Sequence, residues 1–121
     1  MNKYTREELD KALLLVSSTI TNCEKMQPKF AEGTSQHTLL KNRIKALYIS
    51  KALISKDDIR DKYTKDELIE ALAPVSSIIS KSEKGIEKFT EGTAHYTRFK
   101  NLIEAMYISK AFIADEINRR D

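Results

Sequence analysis

The chain is poor in punctuation and in the residues that carry chemistry. Its 121 residues include three glycines, two prolines, one cysteine and no tryptophan. A single thiol, Cys23, excludes a disulfide framework and a paired-cysteine metal motif, and makes a reducing compartment the expectation. No apolar run approaches the roughly 20 residues of a bilayer span, so no membrane partner is expected. The opening Met1-Asn2-Lys3-Tyr4-Thr5 has no secretory hydrophobic stretch, which points to the cytoplasm. His37 and His95 have no acidic neighbour at ligand spacing, and no nucleophile elbow, HExxH or P-loop is present. The expectation is a protein with no metal, no cofactor and no enzymatic activity.

What the sequence does have is a copy of itself. At an offset of 59 residues, without a gap, Lys3-Tyr4-Thr5 returns as Lys62-Tyr63-Thr64, and Glu32-Gly33-Thr34 as Glu91-Gly92-Thr93. Of the 59 pairs, 30 are identical, so residues 3–61 and 62–120 read as two repeats of one domain spanning 1–121, and any site is expected twice. Each half is too small for a comfortable core of its own, so the halves should share one.

Thr5-Arg6-Glu7-Glu8 and Thr64-Lys65-Asp66-Glu67 have the form of capping boxes. Tyr4 with Leu9, and Tyr63 with Leu68, stand where a hydrophobic staple would close over each box. From these starts Leu9, Leu13, Val16, Ile20, Cys23 and Phe30 recur at steps of three and four, and Leu68, Leu72, Val75, Ile79, Ile86 and Phe89 repeat the stripe. Gly33 and Gly92 are expected to end the first helix of each repeat, with Thr34 and Thr93 capping the next. Pro28 and Pro74, at unmatched positions, should kink helices one and three. The charged stretch 57–61 reads as a connection. The fold class is therefore all-α: an antiparallel four-helix bundle of two tandem helical hairpins related by a pseudo-twofold axis.

A short connection between hairpins puts both Gly-Thr turns at one end. Residues 25–45 carry five basic and one acidic side chain, and residues 84–104 four and three, so that end should be positive. Lys29, Thr34, Thr38 and Lys41, repeated as Lys88, Thr93, Thr97 and Lys100, combine ammonium groups, hydroxyls and helix N-terminal amides, the chemistry that holds a phosphate. Capping alone also accounts for the threonines. Helix two shows an apolar band, from Leu40 and Ile44 through Ala46, Leu47, Ile49, Leu53 and Ile54, wider than two bundle neighbours need. Another surface should cover it, and a homo-oligomer through helices two and four is expected. Lys51 and Lys110 are placed on the seam between apolar residues, as charges that contact ligand or snorkel out. Tyr48 and Tyr107 can stack on a base or pack in the core, and Asn42 and Asn101 can read a base edge or end a packing contact.

With Gly33, Thr38, Ala46-Leu47-Tyr48-Ile49 and Leu53-Ile54 in this order, each unit resembles the helical-hairpin domain of phage anti-CBASS and anti-Thoeris sponge proteins. The resemblance spans about 25 residues per repeat. It implies a non-enzymatic protein that oligomerises through its hairpins and sequesters cyclic nucleotide or cyclic ADP-ribose signals between them. It also implies a stacking role for Tyr4 and Tyr63 near the start of the first helix. The chain departs from that pattern where Arg43, Lys45 and Tyr48 replace an acidic pair and a tryptophan. The competing expectation is a protein-interaction or immunity-type bundle with no small ligand. Glu32, Glu87, Glu91 and Glu104 interrupt every basic patch and argue against nucleic acid as a partner.

Overall fold

The computed structural model describes residues 3–120 and shows four helices: α1 Arg6–Met26, α2 Ser35–Ile54, α3 Lys65–Ile86 and α4 Ala94–Arg119. Both capping boxes form. The Thr5 hydroxyl accepts from the Glu8 amide at 3.1 Å while the Glu8 carboxylate accepts from the Thr5 amide at 2.8 Å, and Thr64 with Glu67 repeats these distances. Leu9 and Leu68 are buried beneath them, with Tyr4 and Tyr63 packed against the core, as a staple requires.

α1 stops at Met26, short of the glycine expected to end it. The chain tightens into a 3₁₀ turn, Gln27–Lys29, which holds Pro28 in its first turn, so this proline follows α1 and does not kink it. Repeat two breaks at the equivalent place without a proline. The amide of Phe89 bonds Ile86 O as that of Phe30 bonds Gln27 O, so the break belongs to the repeat. Gly33 (φ 88°) and Gly92 (φ 95°) are left-handed as expected, but each serves as third residue of a turn closed by Thr34 N–H to Ala31 O or Thr93 N–H to Thr90 O. Pro74 lies within an unbroken α3, where its missing amide denies the Glu70 carbonyl its usual donor.

α2 ends in a Schellman motif, with Lys56 N–H on Leu53 O and Asp57 N–H on Ala52 O. Lys56 fills the left-handed position (φ 64°) where glycine is usual. The connection that follows is anchored by Ile59, which is buried. Arg120 donates to the carbonyls of Ile59 and Tyr63, and its Nε to the buried Glu116 at 3.1 Å. These bonds tie the end of α4 to the start of α3.

Each helix contacts its two neighbours around the bundle, and α2 and α4 also meet across the centre; α1 and α3 do not approach each other. This diagonal contact explains the wide band on helix two. Leu40, Ala46, Leu47, Ile49, Leu53 and Ile54 are all buried because three helices of the same chain cover them. The seam position between Leu47 and Ile54 belongs to Ser50 and not to Lys51. Ser50 and its counterpart Ser109 are wholly buried, each hydroxyl donating to the carbonyl four residues back, Ala46 O at 2.8 Å and Ala105 O at 2.9 Å. Lys51 and Lys110 stand on the exposed side. Small residues at these positions let α2 and α4 come close.

Candidate functional site

The two turns share one pole, because α1 and α3 both run toward it and α2 and α4 both run away. Thr34 and Thr93 act as N-caps there. The Thr34 hydroxyl donates to Ala31 O at 2.7 Å and accepts from the His37 amide at 3.3 Å, and Thr93 does the same with Thr90 O and the Tyr96 amide at 2.8 and 3.2 Å. Both hydroxyls are therefore engaged in local structure. Lys29, Thr38, Lys41, Lys88, Thr97 and Lys100 are exposed around them, so the pole presents cations and hydroxyls to solvent on an open surface.

The aromatic candidates are also engaged. Tyr48 donates its hydroxyl to Glu24 at 2.9 Å, and Tyr107 to Glu83 at 3.3 Å, each pinning the second helix of a hairpin to its first. The bond to Glu24 is the main cause that raises the Tyr48 phenol above its ordinary value, and the charge of Glu83 is the main cause for Tyr107. Both residues remain exposed, at 40% and 47%. Tyr63 packs against the core at the opposite pole. Tyr4 stacks on Phe112 with centroids 6.3 Å apart, and lines a hollow of about 480 Å³ with Lys3, Lys56, Asp115 and Arg119. The sixteen candidates are thus divided among two poles, the outer faces of α2 and α4 and, for Asn42 and Asn101, the seams between hairpins, rather than gathered in one cavity.

Two grooves lie where the hairpins meet, and the pseudo-twofold axis relates them. The α2–α3 groove, about 580 Å³, has Ala46, Ile49, Ala71 and Pro74 in its floor and Leu39, Asn42, Lys45, Glu67, Glu70 and Ser77 around it. The α4–α1 groove, about 330 Å³, has Ala105, Ile108, Ala12 and Leu15 in its floor and Asn101, Glu104, Glu8 and Lys11 around it. Only Asn42 and Asn101 of the sixteen reach them. Ala73 and Pro74 line the first groove at the positions where repeat one has Leu14 and Leu15, and of that pair only Leu15 lines the second groove.

Lys45 forms an ion pair with Glu67 across the α2–α3 seam. The bond raises the lysine above its ordinary pKa and, together with the Thr64 amide, lowers the Glu67 carboxyl. Arg43 on the same helix donates to the Ser77 hydroxyl at 3.2 Å, while its buried Nε has no partner among the described residues. Burial pushes the Cys23 thiol upward, with a smaller opposing effect from Arg43, so it serves as a core residue. Sequence reasoning missed the groove residues Lys11, Lys45, Glu70 and Glu104. Their signal was present as the two seam positions where the repeats exchange sign, Lys45 for Glu104 and Glu70 for Lys11.

Among the described residues no group of histidine, cysteine and carboxylate side chains is placed to hold a metal, and no helix is long and apolar enough to cross a membrane. No family model, curated protein or solved structure matches the chain.

Proposed function

We propose that this chain is a non-enzymatic binding protein that sequesters a small anionic nucleotide, with its cationic turn pole as the binding surface. One observation carries the reading: Lys29, Lys41 and the N-terminus of α2 recur as Lys88, Lys100 and the N-terminus of α4 at the same pole. Helix N-termini and ammonium groups in such a pairing favour phosphate. The resemblance to sponge hairpins supports the same ligand class. Exposed Tyr48 and Tyr107, with Lys51 and Lys110 beside them, supply the outer faces of α2 and α4 through which copies would associate around a ligand. A thermal-shift series with cyclic dinucleotides and cyclic ADP-ribose isomers tests it. Ligand at a hundredfold excess over Kd stabilises by about 2.7 kcal/mol. That shift should vanish in the Lys41→Ala/Lys100→Ala variant, and no shift across the panel refutes the reading.

A second reading, a protein-interaction bundle, is favoured by the α2–α3 groove, whose apolar floor is edged by Leu39 at 41% exposure. Retention of a host protein that survives nucleotide removal and is lost on Leu39→Asp would favour this one.

A further inference from the structure

The two seams between hairpins use equivalent positions with opposite charges. On the α2–α3 seam, Lys45 pairs with Glu67 and feels the field of Glu70. At the matching positions of the α4–α1 seam, Glu104 shares the groove with Glu8 and Lys11. Glu67 and Glu8 are common to both repeats through their capping boxes, and the groove positions that change sign between repeats are Lys45 against Glu104 and Glu70 against Lys11. Arg43, which donates to Ser77 across the α2–α3 seam, has Leu102 as its counterpart and adds to the same asymmetry.

A duplicated hairpin faces a choice of partner, because its seam surfaces descend from one surface that could pair with itself. If two copies of repeat one paired, Lys45 would meet Glu8 and Lys11 on both seams, one attraction against one repulsion. If two copies of repeat two paired, Glu104 would meet Glu67 and Glu70 on both seams, which is repulsion throughout. In the folded chain Lys45 meets two acids, and Glu104 meets one acid and one base. Unlike pairing is the best of the three arrangements by sign alone. We infer that Lys11, Lys45, Glu70 and Glu104 form a pairing code that makes each hairpin accept the other repeat and reject a copy of itself, which suppresses hairpin exchange between chains.

The side chains of Lys45 and Glu67 are 49% and 29% exposed, so one such pair contributes little on its own. Discrimination comes from the number of like-charged encounters that the wrong pairings accumulate across two seams, as in other interfaces that select a partner by repulsion. Asn42 and Asn101, Ala46 and Ala105, Ile49 and Ile108, and Ala12 and Ala71 are identical between repeats and cannot supply it, whereas Leu15 and Pro74 differ in shape, so the test changes charge alone.

The experiment begins with the full chain carrying a protease site between the exposed residues Asp57 and Asp58. After folding, the connection is cut, the hairpins are left to exchange, and native mass spectrometry counts the pairs, which differ in mass. The cut chain with unmodified seams should give unlike pairs in at least tenfold excess over like pairs. Lys45→Glu/Glu104→Lys should invert that ratio toward like pairs. Adding Lys11→Glu and Glu70→Lys exchanges the whole pattern between repeats and should restore unlike pairs. A statistical mixture from the unmodified seams, their dissociation into single hairpins, or unlike pairing that persists in the double variant overturns the code. If the double variant fails to associate at all, recovery of unlike pairs by the quadruple variant supports the code, and failure to recover overturns it.

Discussion

The turn of repeat two is filled by three aromatic rings where repeat one has a single phenylalanine. His95 stacks on Phe89 with centroids 4.8 Å apart, and Phe89 on Phe99 at 5.7 Å; the equivalent residues of repeat one are Gln36, Phe30 and Leu40. The larger ring at position 99 is accommodated by a smaller residue opposite. A Cβ on Gly85 would sit 2.8 Å from the Phe99 ring, and repeat one has Met26 at the equivalent position. Gly85 with Phe99 and Met26 with Leu40 have the form of a compensated exchange, in which volume added at one position is removed at the other. The sign changes at the seams have the same form, with charge in place of volume.

The repeats differ most at the ends of their second helices. Glu116 is buried and bound by Arg119 and Arg120, while its equivalent Asp57 is exposed in the connection. Glu116→Ala strands Arg120 in a largely buried position and should cost about 3 kcal/mol in urea unfolding; Asp57→Ala should stay within about 0.5 kcal/mol. An equal cost at both positions would remove the distinction. Next in size, Gly85→Met overpacks the aromatic stack and should cost about 2 kcal/mol. Adding Phe99→Leu recreates the pair found in repeat one and should recover at least half of that loss in the same measurement. If the double variant is as unstable as the sum of its parts, the exchange was not compensatory.

The smallest effect concerns acid. Because Glu67 is held below its ordinary carboxyl range by Lys45 and the Thr64 amide, its contribution is complete above the unfolded carboxyl value and is lost as pH falls through the lower folded value. The thermal midpoint should therefore fall between pH 5 and 3 by less in Glu67→Gln than in the parent chain. Glu8→Gln removes a charge that shares its groove with Glu104, and should lower the midpoint at pH 7 less than Glu67→Gln does.

Features fixed by neighbours three or four residues away were legible in the sequence. The capping boxes at Thr5 and Thr64, the caps at Thr34 and Thr93, the left-handed glycines and the two hairpins all follow from local pattern. The features that depend on distant residues were not. The diagonal approach of α2 to α4 covers a band that, seen in one helix, looked uncovered. The register on helix two was misplaced by one residue because Ser50, small and bonded to its own helix, does not look apolar, while the step from Leu47 to Lys51 fits the period equally well. The end of α1 at Met26 reflects the 3₁₀ turn in which Phe30 bonds Gln27, a break the apolar stripe runs straight through. For the candidate site, residue types and duplication were readable, but their scatter over both poles could be known only once the helices were placed.

Because α1 and α3 never meet, each rests on α2 and α4 alone. Lifting either outer rod breaks no contact with its counterpart, and α3 has the more extensive seat, against α4. Deuterium should therefore enter the amides of α1 before those of α3, and a molecule clamped to one side would slow exchange there without quieting the other.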